Sequence, residues 1–249
     1  MSIIQSVALT SIRSRLDESG TSSGLWTDAQ LRGYLNEGLR EASRRGRCLR
    51  DEEAIATTGA NPVITAPATM IAVAGDTVWW TDATTTPATA LVTFNPRYSL
   101  TYRDRVALSR EWGFQQDYVG QPLFWTMWGG ATQLTASTTQ KIQMYPCPSA
   151  SGCLIVPFYR FAVELATDTS QAGVALDLPN GWEDCAIDWA CYRACLQSRD
   201  PALASIYRND FELHLGELQS NSARYTDAPG EIIPSVWAAG GADFGGFGF

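Results

Sequence analysis

The chain has 249 residues, of which 45% are hydrophobic types and only 18% are charged. That is one large domain or two modest ones with ample material for a core, and disorder of the whole chain is excluded because it needs few apolar residues and high charge. Eighteen basic against 26 acidic residues leave a net charge of −8, which argues against gripping nucleic acid through a clustered basic face. The charge is uneven: residues 1–50 hold eight Arg and five acids, residues 51–249 carry a net −11, and Lys141 is the only lysine. Such asymmetry fits a positive end meeting a negative end, within the fold or between copies of the chain, and equally fits scatter over a solvated surface.

Residues 1–16 lack the basic start, continuous apolar run and small-residue cleavage site of a secretory signal. Residues 54–75 are uncharged, but Pro62, Pro67 and several Thr make them too polar to span a bilayer. The expectation is a soluble chain used without export. The six cysteines, Cys48, Cys147, Cys153, Cys185, Cys191 and Cys195, are too sparse for a disulfide scaffold. No CxxC occurs, and the single histidine, His214, lies apart from them, so small buried thiols are favoured over a metal cluster.

Residues 1–50 read as two helices. Ile4, Ala8, Ile12 and Leu16 recur every fourth residue to form one apolar stripe. Residues 20–24 read as a turn. The second helix begins with Thr27 as N-cap and Gln30 three residues on, a capping box, with Trp26 and Leu31 at the hydrophobic-staple positions. Asp28 in its first turn and Arg44, Arg45 and Arg47 at its end complement the helix dipole. Leu31, Leu35 and Leu39 supply its buried stripe. Gly33 and Gly38 each cost about 1 kcal/mol relative to Ala inside a helix, so their presence implies another backbone close by.

Residues 51–165 change period. Alternating, β-branched and aromatic runs at Thr77–Trp80, Leu91–Phe94, Tyr98–Tyr102, Leu123–Trp128, Ile142–Tyr145 and Leu154–Phe161 predict strands of a small antiparallel module. Residues 141–159 read as two strands around a Pro/Ser/Gly turn, with Cys147 and Cys153 flanking it in position to face each other. Helix returns at 180–220. Asn180 and Glu183 resemble a cap and its partner, and Asp200-Pro201 is a stop and restart with Asp as N-cap. Leu203, Tyr207, Phe211, His214 and Leu218 make the last stripe, which places His214 on a packed apolar face. The final twenty residues are rich in glycine, with Trp237, Phe244, Phe247 and Phe249 placed singly along them. Aromatics are costly to leave wet, so this tail is expected to dock on another surface.

Catalytic patterns are scarce. A nucleophile–histidine arrangement has only His214 to use, and no Gly-x-Ser-x-Gly elbow, Walker loop, HExxH or EF-hand pattern occurs. The adjacent pairs Glu52–Glu53 and Glu183–Asp184 would point apart on a helix.

The segment from Leu25 to Leu39, Leu-Trp-Thr-Asp-Ala-Gln-Leu-Arg-Gly-Tyr-Leu-Asn-Glu-Gly-Leu, resembles the N-terminal helix of tailed-bacteriophage head-to-tail adaptor (connector) proteins, with its "W-[ST]-D-x-x-L" start and "Y-L-N-x-x-L" stripe. The later order is similar too: a β insert, Gln143-Met-Tyr-Pro-Cys-Pro, an apolar strand to Tyr159, then Leu178-Pro-Asn-Gly-Trp-Glu-Asp-Cys and a last helix. As architecture the likeness touches about two-thirds of the chain; as motif it is short.

The resemblance implies an α+β structural virion protein and no enzyme. N-terminal (1–50) and C-terminal (166–228) helices would complete one helical bundle around a β-rich insert (51–165), with a docking tail (229–249). Such adaptors are assembled in the host cytoplasm and stand at the head–tail junction as a ring, commonly of twelve copies, under the portal protein. They extend the DNA channel, let genomic DNA pass without sequence-specific binding, and dock the tail or nozzle protein. No cofactor, metal or membrane is implied. Within that reading Gly33, Gly38, Leu31, Leu35 and Leu39 are the subunit-packing candidates. Trp237, Phe244, Phe247 and Phe249 are the candidates for docking on the portal or a neighbour. Two alternatives stand beside it: another tail component such as a nozzle or tube protein, which would be richer in β structure, and a carbohydrate-binding or hydrolytic β module.

Overall fold

Helix and strand segregate along the chain because the apolar period switches from near four to two and back, and each part closes its own core. A computed structural model describes residues 2–17, 25–59, 61–75, 77–82, 98–112, 118–128, 140–166 and 172–225. In chain order the elements are α1 (Gln5–Arg15), α2 (Asp28–Gly46), β1 (Arg50–Thr57), β2 (Val63–Thr65), β3 (Met70–Val73), β4 (Thr77–Thr81) and β5 (Tyr98–Tyr102). There follow α3 (Arg105–Trp112), β6 (Val119–Gly120), β7 (Phe124–Trp128), β8 (Lys141–Tyr145), β9 (Cys147–Pro148), β10 (Gly152–Arg160), α4 (Glu183–Gln197) and α5 (Pro201–Tyr225). The fold is α+β.

Four helices share the first core. Helix α4 is apolar almost all round, with Cys185, Ala186, Ile187, Ala190, Cys191 and Ala194 fully buried, so it must be surrounded. Its neighbours are α1, α2 and α5. Helix α1 contributes Ala8, Leu9 and Ile12, α2 contributes Leu31, Leu35, Leu39 and Ala42, and α5 contributes Phe211 and Leu215. The start of α2 is a capping box: the Thr27 hydroxyl accepts from Gln30 N–H, and the Gln30 side chain accepts from Thr27 N–H. At α5 the Asp200 carboxylate accepts from the N–H groups of Ala202 and Leu203 at 3.1 Å each. At α4 the expected Asn180 cap is replaced. Asn180 accepts instead from the Ser2 hydroxyl, and Glu183 reaches back to Gly181 N–H and across to Ile3 N–H. The helix begins later than expected, with Trp182 as N-cap and no side-chain cap, so Asn180 stands two residues before the cap position.

The second core lies inside a curled sheet. Eight strands pair in the order β1-β10-β4-β5-β7-β8-β2, with β3 added on β10. Residues 66–69 carry the chain from β2, paired with β8, to β3, paired with β10, so the sheet nearly closes. Alternate residues point inward: Val78 and Trp80, Ile142 and Met144, and Leu154, Val156 and Phe158, with Leu100 and Trp125. Pro157 sits in the middle of β10 without disrupting it. Its carbonyl accepts from Ala74 N–H, so its missing N–H falls where the partner strand changes from β4 to β3.

Two expectations fail here. The β region is neither small nor wholly antiparallel. β5 pairs with β7 and β6 with β9 in parallel, and the former is possible because α3 lies on the long connection that a parallel crossover requires. Nor do residues 141–159 form a hairpin: β8 pairs with β7 and β2, while β10 pairs with β1, β4 and β3. Cys147 is consequently in register with Val119, and Cys153 with Ala56 and Thr81; both thiols are free. The strand expected at 91–94 and the turns expected at 20–24 and 84–87 lie outside the described residues.

Side chains of α2 join the two cores. Asn36 donates to Leu165 C=O at 2.8 Å and accepts from Leu165 N–H at 2.9 Å. The Ser43 hydroxyl accepts from Ala162 N–H. At the end of β10, Arg160 forms a two-point pair with Asp177 at 2.5 and 3.0 Å.

Candidate functional site

The α2 candidates turn on how closely two helices approach. A methyl carbon added at Gly38 would lie 2.6 Å from Ala186 O, 3.0 Å from Ala186 Cα and 3.1 Å from Trp189 Cβ. Small residues on both sides, Gly38 and Ala186, let the backbones of α2 and α4 touch. Leu31, Leu35 and Leu39 are at most 1% exposed, inside the chain's own core. These contacts are all within one copy. Gly33 differs: a side chain there would meet nothing within 4 Å. Of the five, Gly33 therefore faces open space on α2. Trp237, Phe244, Phe247 and Phe249 lie outside the described residues.

An ionic cluster centred on the buried Asp188 joins α1, α4 and α5, and sequence reasoning did not find it. Asp188, with its side chain 2% exposed, takes Arg15 on one oxygen and His214 Nδ1 at 2.7 Å on the other. Arg15 also holds Asp184 at 2.5 Å, and the Tyr207 hydroxyl donates to Arg15 C=O at 2.7 Å. Burial pushes the Asp188 carboxyl above the usual carboxylate value, and the hydrogen bond from His214 and the charge of Arg15 pull the other way. Burial also works against the charge on Arg15, but Asp188 and Asp184 outweigh it and hold that guanidinium firmly protonated. The one signal in the sequence was an aspartate amid Cys-Ala-Ile-Asp-Trp-Ala-Cys, an apolar run in which a carboxylate needs a partner. His214 is thus tied by a carboxylate from the neighbouring helix.

Chemically the cluster is a staple. Its nearest thiols, Cys185 and Cys191, sit in the apolar core, where burial pushes both up to about 12, far from the thiolate range a nucleophile needs. Among the described residues no group of three His, Cys, Asp or Glu side chains is placed to hold a metal ion. No described helix is long and apolar enough to cross a membrane.

The surface offers apolar contact area. On α5, Leu203, Ile206 and Leu213 are 43%, 52% and 62% exposed; Ile206 and Leu213 lie opposite Leu215, and Leu203 lies at the flank of the buried stripe. On α1, Val7 is 53% exposed beside the small side chains of Ser6, Thr10, Ser11 and Ser14, which line a shallow hollow. Sequence periodicity missed the α5 stripe because the buried stripe on the same helix dominates the pattern, and it assigned Leu203 to the buried side.

The sequence model of the family described as SU10 adaptor protein matches residues 4–232 of this chain. A comparison with curated proteins finds no match.

Proposed function

The chain belongs to the SU10 adaptor protein family, and on that premise we propose that this phage structural protein works as a head-to-tail adaptor, a ring of about twelve copies seated under the portal. The observation that carries the reading is the family match over residues 4–232. Several features support it. The His–Asp–Arg cluster around the buried Asp188 ties three helices together, a mechanical task. Two distinct exposed faces, on α1 and α5, suit the unlike surfaces that a head-to-tail ring contact brings together, which closes only if the rotation between copies matches the symmetry. A net charge of −8 per copy gives the ring a strongly acidic character, so a bore lined by it would repel phosphate and let DNA slide.

In this reading the helices form the bundle of each subunit, Gly33 lies towards a neighbour, and the aromatic tail is the docking device. Trp237, Phe244, Phe247 and Phe249 enter apolar pockets on the portal or an adjacent subunit. Anchors that are weak singly hold when repeated around a ring, because each binding event raises the effective concentration of the next. The test is negative-stain imaging of the purified protein mixed with portal rings, with and without residues 231–249. A second ring stacked on the portal is expected for the full chain and none for the truncated one. Absence of stacking by the full chain refutes the adaptor reading, and unchanged stacking by the truncated chain removes the tail from it.

A further inference from the structure

Cations gather on one outer face of the curled sheet. In β7, Trp125 and Met127 point into the core, so the alternate residues Phe124 and Trp128 face outward. The exposed Arg103 holds its guanidinium over the Phe124 ring, 5.5 Å from the centroid, and the exposed Arg105 does the same over Trp128 at 4.7 Å. Lys141, the only lysine of the chain, is in register with Trp128 across β7 and β8 and donates to the Thr65 hydroxyl at 2.7 Å. Arg105 and Lys141 thus flank one indole, and like charges on neighbouring positions of a sheet repel. Among the described residues no carboxylate pairs with Arg103 or Lys141. Asp104, between the two arginines in sequence, accepts from Val106 N–H. Such a face calls for an anion.

We propose that this face receives the carboxylates of β1 from the next copy of the chain, Glu53 foremost. Asp51-Glu52-Glu53 is the only run of three consecutive acids in the sequence, and all three are exposed. Asp51 lies 3.6 Å from Arg160 and accepts from Glu52 N–H, whereas Glu53 has no ion pair or side-chain hydrogen bond among the described residues. The two charged surfaces stand towards opposite ends of the strand order. β1 begins it and pairs only with β10 among the described strands, while β7, β8 and β2 close it. A head-to-tail contact joins unlike surfaces of that kind, and opposite charges across it fix its register and orientation. Stacking on Phe124 and Trp128 restrains the two arginines before the partner arrives, so less side-chain entropy is lost on pairing. The acids of each copy outnumber its bases by 26 to 18, so a ring supplies carboxylates at fixed positions. DNA fits the face less well, because three cations neutralise too few phosphates for a firm grip.

This inference rests on the ring of the adaptor reading and extends the contact between copies from the helices to the sheet.

Carbodiimide coupling tests it, since the reagent joins an amine to a carboxylate without a spacer and a lysine link in this chain identifies Lys141. Full-length protein is mixed in equal parts unlabelled and nitrogen-15 labelled, then coupled both alone at high concentration and on portal rings. A mixed-isotope peptide joining Lys141 to one of residues 51–53 is expected. Absence of any mixed-isotope link at Lys141 in both samples, or links to other acids only, overturns the inference. Lys141→Glu and Glu53→Lys are each expected to weaken self-association about tenfold at low salt, and the double variant to restore it. A double variant as weak as the singles also overturns it. So does a Lys141→Glu protein that self-associates normally but is held less well by double-stranded DNA, which would make phosphate the occupant. Portal stacking reports separately: rings that stack without the link remove this contact and leave the adaptor reading standing, and the link without stacking does the reverse.

Discussion

Gly38 and Gly33 lie five residues apart on α2, and replacing each with alanine should move stability in opposite directions. At Gly38 the new methyl would sit 2.6 Å from the Ala186 carbonyl oxygen, and that oxygen belongs to helix backbone that cannot swing aside. Relief requires α2 to retreat from α4 by several tenths of an ångström. That loosens a contact lined by Leu31, Leu35 and Leu39, all essentially inaccessible. Overpacking of this kind costs about 1–3 kcal/mol, and the better helix propensity of Ala returns up to about 1 kcal/mol. The net loss is roughly 1–2 kcal/mol, or a melting temperature lower by roughly 2–8 °C for a chain of this size. At Gly33 nothing lies within 4 Å, so only the propensity gain remains, up to about 1 kcal/mol and roughly 2–4 °C upward. Thermal and urea denaturation of the two variants measure both. A Gly38→Ala protein that melts at or above Gly33→Ala would refute the close α2–α4 contact. Gly33→Leu then probes assembly: a ring of unchanged mass on size exclusion excludes Gly33 from the subunit contact.

Other expectations follow from the ionic and polar joints. Burial alone would raise the Asp177 carboxyl, but the Arg160 pair and Val163 N–H hold it below its ordinary value. Its stabilisation is therefore present above the unfolded pKa of about 4 and lost as pH falls through the lower folded value. Asp177→Asn should cost about 1–2 kcal/mol at pH 7, with the gap from wild type closing as pH falls below that unfolded value in urea titrations; a gap independent of pH would contradict the pairing. Asp188→Ala leaves His214 without its carboxylate and Arg15 with Asp184 alone; both partners left behind are about one-third exposed and rehydrate, so the cost is that of the lost charge-assisted hydrogen bonds, about 1–3 kcal/mol, read as a fall in melting temperature. Asn36→Ala strands both the N–H and the C=O of Leu165, at about 2 kcal/mol, and should speed hydrogen exchange across residues 161–166 before the rest of the sheet responds.

Whatever depends on neighbours within about four residues could be read from the chain itself. The Thr27–Gln30 capping box, the Asp200 cap before Pro201, the leucine stripe of α2 and the switch from helical to alternating period are encoded by short-range hydrogen bonding and side-chain direction, and the adaptor resemblance rested on such runs. The Asn180 cap failed because the helix starts two residues later, at Glu183 after Trp182, and Asn180 instead meets Ser2, 178 residues away. Strands β1, β2 and β3 went unread: β1 opens on Asp51, Glu52 and Glu53, and the other two span three and four residues, too short for a period.

Pairing was settled only by the fold, since strand registers join distant segments, and β10 takes β1, β4 and β3 in place of the adjacent β8. The same holds for the cluster that locks the helices. Arg15 and Asp188 are 173 residues apart and Asp188 and His214 are 26 apart, and no local pattern brings them within reach. A buried charge finds its partner only when separate helices pack, so three-dimensional contact alone decided which residues surround Asp188.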